Sequence, residues 1–160
     1  PTTACALATD ADWEPYNQVD WNYASVVGML LYVSNNTRPD ITFAVSQVAR
    51  FTANPKKSHA TAVKTIVRYL IRTRMKGLIV KPDGTYDLDT WVDADFAGLY
   101  TQEPPESPMS VKSRYAYIIR FGGMPLIWKL QLILENCLST LHSEYVGLFN
   151  AVQNLILFGL

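Results

Sequence analysis

The residues best suited to chemistry in this 160-residue chain are carboxylates. Asp93 and Asp95 stand two apart, and on an extended strand both project from one face, beside Asp89 and Trp91. Oxygen ligands at a strand end are what a hard cation such as Mg²⁺ takes, and the same pattern serves equally as a plain polar face. Glu144 falls in the expected first turn of the last helix, where the helix dipole favours a negative charge whatever its task. Asp-x-Asp is a common pair, so neither signal decides alone. His59 and His142 are remote from each other and from cysteine, and they read as capping or surface residues.

A second group is cationic. Between Lys56 and Lys81 there are eight basic residues and no acid, leaving six basic residues against all 14 acids elsewhere. The net charge of zero therefore hides a basic segment in an acidic chain, which points to an anionic partner. Lys64, Arg68 and Arg72 recur at i, i+4 and i+8, one stripe of a helix, while Val63, Ile66, Val67, Leu70 and Ile71 line the other side. Such a stripe suits a phosphate backbone, and it suits a solvated helix face as well.

The elements that must hold these groups follow from periodicity and punctuation. Residues 1 to 20 read as an irregular acidic lead-in, and Asn22 to Asn35 as a largely buried helix. Pro39 is placed as a first helical residue, with helical spacing from Ile41 to Phe51, and Asn54-Pro55 ends that helix. Ser58 is the expected N-cap of a third helix running to about Thr73. After Gly77 the pattern changes. Leu78 to Lys81 and Tyr86 to Asp93 are predicted as strands flanking a Pro82-Asp83-Gly84-Thr85 turn, and Leu99 to Ser110 as a loop. Tyr115 to Phe121 is predicted as a strand, Gly122-Gly123 as a tight turn, and Leu126 to about Leu134 as a further strand. Ser139 or Thr140 caps a final helix with an apolar stripe at Tyr145, Leu148, Phe149, Val152, Leu155 and Ile156. Three helices, then strands, then a helix predict an α/β chain with a division near residue 77.

Half of the residues, 49%, are apolar and 18% are charged, the profile of a globular protein. Cys5 and Cys137 show no metal-ligand spacing and no disulfide framework, which fits a reducing intracellular setting. No signal peptide is visible, and no apolar run is long enough to span a bilayer.

Read together, the residues are similar to a known family. The run from Tyr23 to Tyr32, Thr37-Arg38-Pro39-Asp40-Ile41, Asn54-Pro55, His59, Arg68-Tyr69-Leu70, Gly77-Leu78 and Pro82-Asp83-Gly84 resembles the segment after the polymerase core of copia-type retrotransposon Pol polyproteins. Val92-Asp93-Ala94-Asp95-Phe96-Ala97-Gly98 resembles the opening strand of that family's ribonuclease H domain. Ser110 to Tyr115, Gly122 to Trp128, Leu138-Ser139-Thr140 and Ser143-Glu144-Tyr145-Val146 resemble its following strands and first helix.

The resemblance implies a helical thumb or connection segment over residues 1–76 and a partial ribonuclease H-like mixed sheet with a packed helix over 77–160. It implies two Mg²⁺ ions, held by Asp93 and Glu144 with Asp95 in reserve, cutting the RNA strand of an RNA–DNA hybrid. Lys64, Arg68 and Arg72 would grip that hybrid or a template–primer duplex. The remainder of the Pol polyprotein is the implied partner, in a cytoplasmic virus-like particle or the nucleus. The family's third catalytic carboxylate falls on a strand after the last helix, beyond Leu160, so this chain is expected not to cut by itself. A non-catalytic nucleic-acid-binding element and a decayed transposon copy are the competing expectations.

Overall fold

The computed structural model describes residues 15–17, 21–85, 87–98 and 111–156. The expected loop from Leu99 to Ser110, Cys5, and the lead-in before Pro15 lie outside the described residues. The chain forms two compact units, Pro1–Leu78 and Ile79–Leu160.

The first unit is helical. Helix α1, Tyr23–Asn36, starts where the Asn22 side chain accepts a hydrogen bond from the Ser25 amide (2.9 Å), satisfying one of the unpaired amides of the first turn. It is not largely buried, as its apolar composition predicted. Only Tyr23, Val27, Leu30 and Ser34 are buried, one stripe of the helix, while Met29 and Tyr32 face outward. Pro39–Ile41 forms a 3₁₀ turn with Pro39 in its first position, followed by α2, Thr42–Ala49. That helix ends two residues before the expected Phe51, because the Phe51 and Thr52 amides turn back to the carbonyls of Val48 and Ala49.

Helix α3 covers Lys57–Arg72, and its N-cap is Lys56, not Ser58. The reason is His59. Its Nδ1 accepts the Lys56 amide (3.1 Å), while the ring is wholly buried and stacked on Phe51 at 3.8 Å. The buried histidine thus fills the capping role expected of a serine. The core of this unit joins Tyr23, Val27 and Leu30 of α1 with Ile41, Val45 and Val48, and with Ala62, Val63 and Ile66 of α3. Each fully buried Val, Leu or Ile contributes about 1.5–3 kcal/mol. The Tyr23 hydroxyl donates to the Val48 carbonyl (2.8 Å), and burial holds it un-ionised by pushing its pKa up.

One polar clamp ties this core together. Buried Arg38 donates to both Asp40 oxygens (2.9 and 2.7 Å), to the Thr73 carbonyl (3.2 Å) and to the Thr73 hydroxyl (2.8 Å). Tyr69 of α3 donates to Asp40 as well (2.8 Å). The guanidinium so satisfies a carbonyl left open at the end of α3, the end where the helix dipole favours a cation.

The second unit is a three-stranded antiparallel sheet in the order β1-β2-β3: Leu88–Asp95, Arg114–Phe121 and Met124–Leu132. Leu78 to Lys81 is not a strand, and Pro82 to Thr85 joins no hairpin. Ile79 and Val80 are exposed, and among the described residues no strand pairs with them. The Pro82–Thr85 turn instead reaches the far end of the sheet, where the Asp83 amide donates to the Gly122 carbonyl (3.1 Å). β1 begins only where Leu88 finds Phe121 of β2.

Gly122 and Gly123, at φ of 54° and 75°, make the two-residue turn into β3 that requires positive φ twice. Ser139 caps helix α4, Thr140–Ile156, by accepting the His142 amide (3.2 Å). Of the expected apolar stripe of α4, Leu155 packs against the sheet core and the other five positions do not face it. Tyr145, Leu148, Phe149, Val152 and Ile156 are exposed, and the buried face is Ser143, Gly147 and Ala151, with Val146 and Leu155 beside it. Side-chain size explains the reversal. A methyl group at Gly147 would sit 3.1 Å from Tyr115 Cβ and 3.3 Å from Val92 Cγ1, an approach that only a small residue allows. The architecture is α/β with a packed terminal helix, as the sequence order predicts. Among the described residues no helix is long and apolar enough to cross a membrane.

Candidate functional site

The carboxylates stand on one face of β1. Leu88, Val92 and Ala94 pack into the core beneath α4, so the alternation of the strand turns Asp89, Trp91, Asp93 and Asp95 to the other face. Their circumstances differ. Asp89 lies opposite Arg120, which donates to it through Nε (3.0 Å) and a terminal nitrogen, and which also lies over the Trp91 ring at 5.5 Å. The Arg120 guanidinium holds the Asp89 carboxyl below its usual pKa. Asp89 is therefore already spoken for, a pairing that the spacing of residues 89 and 120 in sequence could not reveal.

Asp95 is paired in register with Arg114, and its carboxylate lies against Gly98, where any Cβ would collide with it. The bend that brings Gly98 there includes Ala97 at φ 48°, with its amide donating to the Ser113 hydroxyl (3.3 Å). Asp93 has neutral Ala116 opposite and is exposed. Of the two carboxylates it is the one without a cation in register.

Glu144 is exposed on α4, one residue past the first turn in which it was expected, since Ser139 is the cap. His142 lies in that first turn and is also half-buried, its amide held by Ser139. The donors are of the right chemistry for Mg²⁺. Among the described residues, however, no three His, Cys, Asp or Glu side chains are gathered to hold a metal ion. Asp93, Asp95 and Glu144 do not by themselves complete a site. Cys137 is buried with a free thiol.

The cations of the first unit are arranged as the spacing predicts. Lys64, Arg68 and Arg72 are exposed on α3, turned away from buried Ala62, Val63 and Ile66. Lys57, Arg74 and Lys76 are exposed too. Beside the stripe an open groove of about 510 Å³ runs between α1 and α3, walled by Trp21, Val26, Met29 and Val67 with Lys64 and Arg68. Sequence periodicity missed it, since Met29 and Val26 read as buried helix residues.

Comparison with known proteins gives a consistent picture. The chain is similar to the retrovirus-related Pol polyprotein from transposon TNT 1-94 of Nicotiana tabacum, 35% identical over 89% of this chain and 10% of that protein. It is similar to the putative transposon Ty5-1 protein of Saccharomyces cerevisiae, 30% identical over 83% of this chain and 41% of that one. It is also similar to the secreted RxLR effector protein 161 of Plasmopara viticola, 31% identical over 84% of this chain and 89% of that protein. The chain spans about a tenth of the length of the tobacco Pol polyprotein. No family model and no solved structure matches it.

Proposed function

Because the chain belongs to the copia-type retrotransposon Pol family, we propose that it serves such a polyprotein as a nucleic-acid-holding segment, with the α3 stripe as its contact. The observation that carries this reading is the exposed row Lys64, Arg68 and Arg72 in a stretch from Lys56 to Lys81 without one acid. Its ligand is an RNA–DNA hybrid or template–primer duplex, met where the element is reverse transcribed, in a cytoplasmic particle or the nucleus. Each phosphate neutralised releases counterions, so affinity falls steeply with salt.

The second unit contributes Asp93 and Glu144 to a ribonuclease H-type site whose remaining ligand comes from outside the described residues. There Mg²⁺ would supply the charge that polarises a phosphodiester. The part of this chain is to hold oxygen donors at the end of β1 and on α4. Asp93 is favoured over Asp95 because Arg114 stands opposite the latter. On this reading the chain binds a hybrid and does not cut it.

The test is fluorescence anisotropy with a labelled RNA–DNA hybrid over a salt series, beside a Mg²⁺-dependent cleavage assay. Replacing Lys64, Arg68 and Arg72 by Ala should lower the slope of log affinity against log salt by about 2–3, at roughly 0.9 per phosphate contact. An unchanged slope overturns the assignment of the stripe. Cleavage that Asp93→Asn abolishes overturns the non-cutting part and establishes a completed site.

A further inference from the structure

The groove beside the stripe is not explained by a duplex. A paired helix offers phosphates and groove edges, and its bases are stacked inside, so it has nothing apolar to place between α1 and α3. Yet the groove has apolar walls, Trp21, Val26, Met29 and Val67, and its volume of about 510 Å³ is that of a ligand site. Met29 is 61% exposed, an apolar side chain left in water beside two cations.

A ligand that fits both features is anionic along its length and carries flat apolar groups at intervals. Lys64, Arg68 and Arg72 recur about every 6 Å along α3, which suits a polyanion better than a single carboxylate. We propose that the groove seats an unpaired base of a single-stranded nucleic acid whose phosphates run along Lys64, Arg68 and Arg72. This rests on the reading of α3 as a nucleic-acid contact and adds to it a preference for the unpaired strand. Bases lodged on aromatic and apolar walls, with cations tracking the backbone, are how single strands are held without regard to sequence. Trp21 is fixed for such a role: its ring stacks on Tyr23 (5.9 Å) and tilts against Tyr16 (5.0 Å). The segment would then meet the strand ends and unpaired template that flank a hybrid.

The test uses the full chain and four labelled ligands: a thymidine strand, the same sugar–phosphate strand with abasic sites, a duplex of that length, and an acidic leucine-bearing peptide. The thymidine strand should bind roughly tenfold more tightly than the abasic one, the size of one seated base. Met29→Gln, neutral and at an exposed position, should reduce that preference below about threefold. Equal affinity for the two strands overturns the seating of a base and leaves the phosphate contact standing. No dependence of any ligand on Lys64, Arg68 and Arg72 overturns the contact itself. An acidic leucine-bearing peptide that binds more tightly than every strand assigns the groove to a protein partner and overturns the proposal. The abasic comparison needs no substitution, so a Met29 variant that fails to fold does not spare it.

Discussion

Gly28 and Gly147 both stand inside helices, where alanine is intrinsically better by about 1 kcal/mol. Around Gly28 an added methyl meets nothing within 4 Å, so Gly28→Ala should stabilise the first unit by about 0.7–1 kcal/mol. At Gly147 the same methyl would lie 3.1 Å from Tyr115 Cβ, 3.3 Å from Val92 Cγ1 and 3.8 Å from Ala94 Cβ. Tyr115 Cβ is fixed to its backbone and cannot rotate away. Helix and sheet must part by a few tenths of an ångström, at a cost on the order of 1–2 kcal/mol. Gain and cost nearly cancel, so Gly147→Ala should lie between neutral and about 1 kcal/mol destabilising. Gly147→Val, with two more methyls, should cost about 2–3 kcal/mol. Urea denaturation of each variant beside the parent, followed by far-ultraviolet circular dichroism, reads each value. A Gly147→Ala variant stabilised as much as Gly28→Ala would refute the close approach of α4 to β1 and β2.

Arg38→Met removes four hydrogen bonds from a buried guanidinium and leaves Asp40, whose side chain is 39% exposed, to the Tyr69 hydroxyl. Partial exposure softens the loss, so the first unit should be destabilised by about 2–3 kcal/mol in the same assay, and a loss under about 0.5 would refute the clamp. Hydrogen bonds from Arg38, then from Tyr69, lower the folded pKa of Asp40. A depressed carboxyl stabilises the fold above its unfolded pKa of about 3.9, and the contribution fades as pH falls through the lower folded value. Stability measured between pH 6 and pH 2 should therefore fall less in Asp40→Asn than in the parent, and parallel curves would refute the linkage. Asn22→Ala should cost about 1 kcal/mol by leaving the Ser25 amide uncapped, which hydrogen exchange at the start of α1 would detect.

Local chemistry was the most legible part of the sequence. Gly122-Gly123 names its turn because two positive φ angles exclude most residues, and Pro39 names its helical start because its ring fixes φ. The i, i+4, i+8 row of cations was readable because helix geometry alone sets it. What failed was whatever depends on a partner. Leu78 to Val80 has strand composition, but among the described residues no neighbouring strand supplies its hydrogen bonds. In α4 hydrophobicity pointed to one face, and the close fit of Gly147 against Tyr115 selected the other. Asp89, Asp93 and Asp95 look alike in sequence, and only strand register shows that Arg120, Ala116 and Arg114 stand opposite them.

The Gly122-Gly123 turn also sets a clock. β2 and β3 are joined by two residues, whereas β1 reaches β2 only across residues 96 to 113. A tight hairpin forms in about 1–10 μs, while the longer closure must overcome more chain entropy before any contact rewards it. The hairpin should therefore form first and the carboxylate-bearing strand dock onto it, which places Asp93 late in folding. Substituting Gly123 should slow that arrival, because a side chain at φ 75° strains the seed itself.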